Sequence, residues 1–153
     1  MKPYRAFTLI ELTIVILILG ILATVAVPKF VEFQENARKA KAEAVIGAVK
    51  EGIGIYMSES ILNNGREPKW PETLDNAPNG YASSANPFFV NVLESGVVDS
   101  GWQKSIVNPV NKIEYYYLYY ELVTPFMTMS KYIKMIYNPS TGNVDGPLFI
   151  MSR

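Results

Sequence analysis

The chain of 153 residues balances 14 Lys and Arg against 14 Asp and Glu, and contains neither histidine nor cysteine. That composition excludes Ser-His-Asp and Cys-His catalysis, zinc held through imidazole or thiolate, and any disulfide. The charge balance offers no global basic surface for nucleic acid, and the length suits one membrane helix plus one domain of roughly 90 to 125 residues.

From Phe7 to Val27, 21 residues pass without Lys, Arg, Asp, Asn or Gln, and Glu11 is the only charge. A helix of that length spans roughly 30 Å, enough to cross the hydrocarbon core of a bilayer. An acid inside such a segment costs on the order of 2.5–3.5 kcal/mol near the centre and less towards an end. A cleavable secretory signal accounts for Lys2 and Arg5 but not for an apolar run longer than the usual ~7–15 residues. A plain signal anchor accounts for the length and the orientation, with the basic end cytoplasmic, but leaves Glu11 without a purpose.

Ala6-Phe7-Thr8-Leu9-Ile10-Glu11, after a short basic stretch, resembles the processing site of type IV prepilins and type II secretion pseudopilins. The resemblance implies a leader over residues 1–6, cleavage between Ala6 and Phe7 by a prepilin peptidase, and N-methylation of Phe7. It makes Glu11 the assembly acid, and places Gly20 and Pro28 where many members loosen or kink the helix. Ala6 stands where Gly is usual before the cut.

The physical chemistry gives this arrangement a mechanism. A free amine on Phe7 sits four residues from Glu11, on the same helical face, and the helix dipole favours an anion in the first turns. In a stack of such helices, Glu11 of one subunit can meet the Phe7 amine of another. An unpaired charge in low dielectric is costly and a paired one much less so, so the pair controls register while Leu, Ile and Val packing drives association.

Residues 29–62 continue as an amphipathic helix, with Phe30, Phe33, Ala37, Ala40, Ala44, Ala48 and Ile55 as its apolar stripe and charged residues opposite. Gly47, Gly52 and Gly54 place its end between Glu51 and Leu62. Residues 63–111 read as loop-rich with short helices: a helical turn at Trp70–Leu74 and a second helix over Phe88–Leu93 with Pro87 at its first position. Phe88, Phe89, Val92 and Leu93 are assigned to the core. Residues 112–153 form an antiparallel meander, with strands at Lys112–Val123, Lys131–Tyr137 and Asn143–Met151 and a turn at Asn138–Gly142. Alternation puts Tyr116, Leu118, Tyr120 and Leu122 on the core face, and Ile113, Tyr115, Tyr117, Tyr119 and Glu121 outside. That outer tyrosine row suits half-buried sheet surface, a ligand surface, an electron-hopping path or a subunit contact.

The expected fold is therefore α+β: a long N-terminal helix, membrane-spanning over 7–28, packed on a small antiparallel sheet of about three strands. The resemblance implies a non-enzymatic filament subunit, held in the inner membrane before assembly, with its head on the non-cytoplasmic side. Its implied partners are prepilin peptidase, further copies of itself in a helical filament, minor pilins and an inner-membrane assembly platform; no nucleic-acid partner is expected. The alternatives are a type II secretion pseudopilin, a DNA-uptake pilin, and a signal-anchored periplasmic enzyme or binding protein. Calcium is a family-level possibility, but Asp99 and Asp145 are sparse ligands, and no cofactor or metal is assigned.

Overall fold

The computed structural model describes residues 7–63, 67–107, 112–124 and 127–151. One helix, α1 (Leu9–Asn63), runs about 80 Å and is followed by five strands. These are β1 (Gly80–Tyr81), β2 (Trp102–Val107), β3 (Lys112–Thr124), β4 (Met127–Asn138) and β5 (Asn143–Met151). They form one antiparallel sheet in sequence order, β1-β2-β3-β4-β5. The expected α+β architecture of one long helix on an antiparallel sheet is what the chain adopts.

Two strands were not expected. The sheet has five, because β2 pairs residue for residue with β3 from Trp102↔Tyr117 to Val107↔Lys112, and β1 adds two residues to its far edge. In Trp102-Gln103-Lys104-Ser105 the alternation is obscured by a lysine on the inward face. The β4 strand also starts at Met127, four residues before the expected Lys131, and α1 reaches Asn63, one residue past the expected limit.

The core lies where the second half of α1 crosses the sheet. Ala42, Ile46, Val49 and Ile53 of the helix meet Trp102 of β2, Ile113, Tyr115, Tyr117 and Tyr119 of β3, and Ile133, Met135 and Tyr137 of β4. The face of β3 assigned to the core is thus the outer one. Both faces of this strand are tyrosine-rich, so alternation gives two equally apolar rows. The inward row is the one whose hydroxyls find buried partners, and burial of a phenol requires such a partner. Tyr115 bonds to Asp75 at 2.7 Å, and Tyr137 donates to the Pro71 carbonyl.

The helix stripe is corrected in the same way. Phe30, Phe33, Ala37, Ala40, Ala44 and Ile55 are exposed, whereas Ala42, Ile46, Val49, Gly52, Ile53 and Ser60 are buried. The buried series keeps the same helical spacing but has the larger residues, Ile46, Val49 and Ile53, which fill the space above the sheet. Gly52 allows the closest approach: a Cβ there would stand 2.2 Å from the Val92 carbonyl oxygen.

Neither expected short helix forms. The Trp70–Leu74 stretch is irregular, with bends at Glu72 and Leu74. Phe88 exchanges both backbone hydrogen bonds with Val97, at 2.8 and 2.7 Å, which removes it from any helical first turn. Phe89 then turns through φ 63°, and its carbonyl accepts from the N–H groups of Val92 and Leu93. Such a φ is costly for a large residue, by about 1–2 kcal/mol, and the fully buried Phe89 ring offsets it. The core assignment itself holds: Phe88 and Phe89 are buried, and Val92 and Leu93 pack against them.

The expected turn at Asn138–Gly142 joins β4 to β5. The Gly142 N–H donates to the Asn138 carbonyl at 2.8 Å, the Ser140 N–H donates to Asn138 Oδ1, and Gly142 has φ 69°. A Cβ on Gly142 would come within 2.2 Å of the Trp70 ring. Gly142→Ala therefore lowers stability by at least about 1 kcal/mol, read as a lower urea midpoint at unchanged slope.

Candidate assembly helix and the polar network of the head

At its start α1 closes on itself. Thr8 donates its backbone N–H (2.9 Å) and its hydroxyl (2.8 Å) to Glu11 Oε2, while the Glu11 N–H donates back to Thr8 Oγ1 at 3.3 Å. This is a capping box, in which a hydroxyl residue and an acid three positions on satisfy each other's helix-end groups. The Thr-x-x-Glu spacing is the local sequence signal of this cap. Glu11 thus has a partner within its own chain.

From Leu9 to Val27 every residue of α1 is exposed. The two threonines inside this stretch turn their hydroxyls back to the helix, Thr13 to the Ile10 carbonyl (2.9 Å) and Thr24 to the Ile21 carbonyl (2.7 Å). Past Glu11 the surface is therefore apolar all round, as a lipid-facing or bundle-facing helix requires. An 18-residue window of mean hydropathy 2.7 makes α1 a candidate membrane span.

Of the residues singled out in the sequence, Phe7 is 74% exposed just ahead of the helix. Ala6 lies outside the described residues. Gly20 touches nothing of this chain, since a Cβ there would meet no atom within 4 Å. Pro28 sits inside α1, which continues through it as one element. Glu11 is brought together with Thr8; Gly20 and Pro28 lie farther along the same rod.

The head contains a polar cluster that sequence reasoning missed. Lys104 and Asp75, 3% and 0% exposed as side chains, pair at 2.6 Å. Asp75 Oδ1 also accepts the Ala77 N–H at 3.0 Å; Oδ2 accepts the Tyr115 hydroxyl at 2.7 Å and the Phe89 N–H at 3.4 Å. Lys104 donates further to the Ala77 carbonyl at 2.8 Å. Burial, with the Asp75 charge alongside, pushes the Tyr115 phenol well above its usual pKa. The cluster ties the loop from Leu74 to Phe89 onto β2 and β3 in a chain without disulfides. The signal available was Lys104 on the same strand face as Trp102.

A cleft of about 510 Å³ lies between α1 and the lead into β2, lined in part by Arg38, Lys41, Asp99, Gly101 and Tyr117. Its ion pair, Lys41–Asp99 at 2.6 Å, is partly exposed. Hydrogen bonding to Asp99 holds the Lys41 ammonium above its usual range. Burial pushes the Asp99 carboxyl up, but Lys41, the Gly101 N–H and the Tyr117 hydroxyl outweigh it and leave the pKa below its ordinary value. Asp99 is thus committed to holding the helix, and Asp145 lies on β5 opposite Ile136. Among the described residues no three carboxylate, histidine or cysteine side chains gather as a metal site. On the outer face, Tyr116 stands between Glu114 and Lys134 and meets Tyr132 edge-on at 6.4 Å.

Residues 1–27 match the family described as the prokaryotic N-terminal methylation motif. The chain is 32% identical over 108 residues to the fimbrial protein EcpC of Eikenella corrodens, covering 71% of this chain and 63% of that protein. It is 41% identical over 108 residues to the type IV major pilin protein PilE of Neisseria gonorrhoeae, covering 68% of this chain and 59% of that one. The chain belongs to the type IV pilin family. A shorter match joins it to the type IV narrow pilus major component PilA5 of Thermus thermophilus, 47% identical over 51 residues, covering 33% of this chain and 44% of that one. The chain spans less than two thirds of the length of these relatives. No solved structure matches it significantly. This pilin sets a long apolar helix on an antiparallel sheet.

Proposed function

We propose that this chain is a structural subunit of a type IV pilus filament. The observation that carries the reading is that α1 buries one face of its second half in the head and leaves Leu9–Val27 uncovered and, but for Glu11, without charge. An apolar surface of that extent is stable only in lipid or against other helices. The membrane holds it before assembly, and a bundle of identical helices holds it afterwards. Its relatives, named as major pilins and a fimbrial protein, favour a pilus over a short secretion filament and over a monomeric enzyme or binding protein.

In this reading residues 1–6 are removed, Phe7 becomes the methylated N-terminus, and residues 7–28 form the filament core. Residues 29–62 carry the core into the head built by residues 63–153. Thr8 engages Glu11 through Oε2, and Oε1 is assigned to the Phe7 amine of a neighbouring subunit. Gly20 and Pro28 are the points where α1 loosens as helices pack, Gly20 because it serves no contact within this chain. Exposed Phe30, Phe33, Ala37, Ala40 and Ala44 extend the bundle contact above the membrane level. Peptidase, assembly platform and minor pilins are the partners this role requires.

The intact mass of the exported protein tests the reading. Loss of residues 1–6 with gain of one methyl group is expected; an uncut chain in assembled or membrane fractions contradicts it.

A further inference from the structure

We infer that the end of the β3–β4 hairpin is a second membrane contact of the unassembled subunit, resting Met127 and Met129 at the headgroup–acyl boundary. The inference rests on the membrane span proposed for the first half of α1 and adds a lipid-facing site in the head.

Height along α1 comes first. Asp99 bonds both Lys41 (2.6 Å) and the Tyr117 hydroxyl (3.3 Å), and Glu35 Oε2 accepts the Tyr120 N–H at 2.7 Å. Between these two contacts the helix descends about 9 Å and the strand about 10 Å, so β3 runs in step with α1 towards its N-terminus. Below Tyr120 the strand continues to Thr124, paired with Met127. That further ~13 Å brings the hairpin end level with about Ala26, inside the charge-poor run of α1.

At that height the two strand methionines are uncovered, beside the exposed Lys29–Glu32 ion pair of α1. Along β4, Tyr137, Met135 and Ile133 are buried against the helix. Past Lys131 the same strand face ends in Met129 and Met127, which are 36% and 52% exposed. Phe33 and Phe30 of α1, at neighbouring height, are 71% and 62% exposed. Residues 122–130 contain no charged side chain; Glu121, opposite Met129, and Lys131, opposite Tyr119, mark the upper limit of that run. Tyr120 stands just above, half-exposed, where interfacial aromatics gather. Met127 and Met129 at the hairpin end, with Glu121, Tyr120 and Lys131 gathered at its upper limit, follow the order in which a bilayer passes from its acyl boundary to its headgroup layer.

The consequence is orientation. A single helix leaves a head free to rotate about the membrane normal. A second contact fixes which face of α1 turns towards an incoming subunit, and must be released when the subunit leaves the bilayer.

The chain's lack of cysteine permits single-site labelling of the full protein in phosphatidylcholine vesicles. Ile18→Cys, Met129→Cys, Met127→Cys and Ser140→Cys each carry an environment-sensitive fluorophore, with lipids spin-labelled at shallow or deep positions as quenchers. The expected result is deep quenching at 18, shallow quenching with blue-shifted emission at 127 and 129, and neither at 140. If 127 and 129 behave like 140 while 18 is quenched, the hairpin contact is refuted and the membrane span stands. If 18 is not quenched, the span fails and the inference with it. If 127 and 129 enter an apolar setting only in assembled fibres, the surface belongs to a second copy of the chain, and the lipid contact is wrong.

Discussion

Glu11→Gln is expected to remove filaments while leaving the protein processed, inserted and helical. The capping box makes this substitution clean. A glutamine at the third helical position can still accept from Thr8, so the helix end stays closed and only the charge is lost. If Glu11 pairs with a neighbour's amine in the low-dielectric core of a bundle, losing one partner costs about 3–5 kcal/mol. At ~1.4 kcal/mol per tenfold, that weakens each subunit addition by roughly a hundredfold or more. The complementary change is Thr8→Val, which keeps the charge and breaks the cap. A lost cap costs about 1 kcal/mol and frays the first turn, so filaments still form, at reduced yield. Sheared fibres counted by electron microscopy, with membrane fractions probed in parallel, distinguish the two. Normal filaments from Glu11→Gln mean that the acid serves the cap alone.

What the sequence disclosed, and what it hid, divides along physical lines. The membrane-length run, its single acid and the β4–β5 turn were legible because each depends on neighbouring residues: an uninterrupted apolar stretch, a lone charge, a Pro-Ser-Thr-Gly sequence. The choice of face was not legible. In β3 the two rows, Tyr116-Leu118-Tyr120 and Tyr115-Tyr117-Tyr119, are nearly equal in apolar content. Their fates were decided by Asp75 and Asp99, which are distant in sequence and supply the inner hydroxyls with partners. On α1 the alanine-rich stripe looked like the packing face, yet the sheet took the face bearing Ile46, Val49 and Ile53, and left the alanines and phenylalanines outside. The error is informative, because a small-residue stripe spared by the head remains available for another helix. At Glu11 both the charge and the cap are local signals, the cap through Thr-x-x-Glu.

Lys104→Met is expected to destabilise the head by about 3–5 kcal/mol, because it leaves the Asp75 carboxylate buried without its cation. Asp75 is 1% exposed and cannot regain water without opening the Leu74–Phe89 loop. Tyr115→Phe removes one bond to the same carboxylate and costs less, about 1.5–3 kcal/mol for a hydrogen bond to a charged group. Removing both charges with Asp75→Asn and Lys104→Met recovers part of the loss, since an asparagine oxygen can still accept from the Ala77 N–H and no bare charge remains. Recovery is incomplete because Asp75 also receives the Phe89 N–H, at the one non-glycine residue of positive φ among those described. Losing that bond releases the strained turn that seats Phe88 and Phe89 in the core. Unfolded in urea as the full chain in detergent, with Asp75→Asn alone measured to complete the cycle, these variants should rank Lys104→Met least stable, the double variant between, and Tyr115→Phe nearest the parent. A double variant at least as unstable as the sum of its single changes means that the two groups act separately. A coupling of about 1 kcal/mol or more means that they act as one clamp, holding the head in a chain with no cysteine to cross-link it.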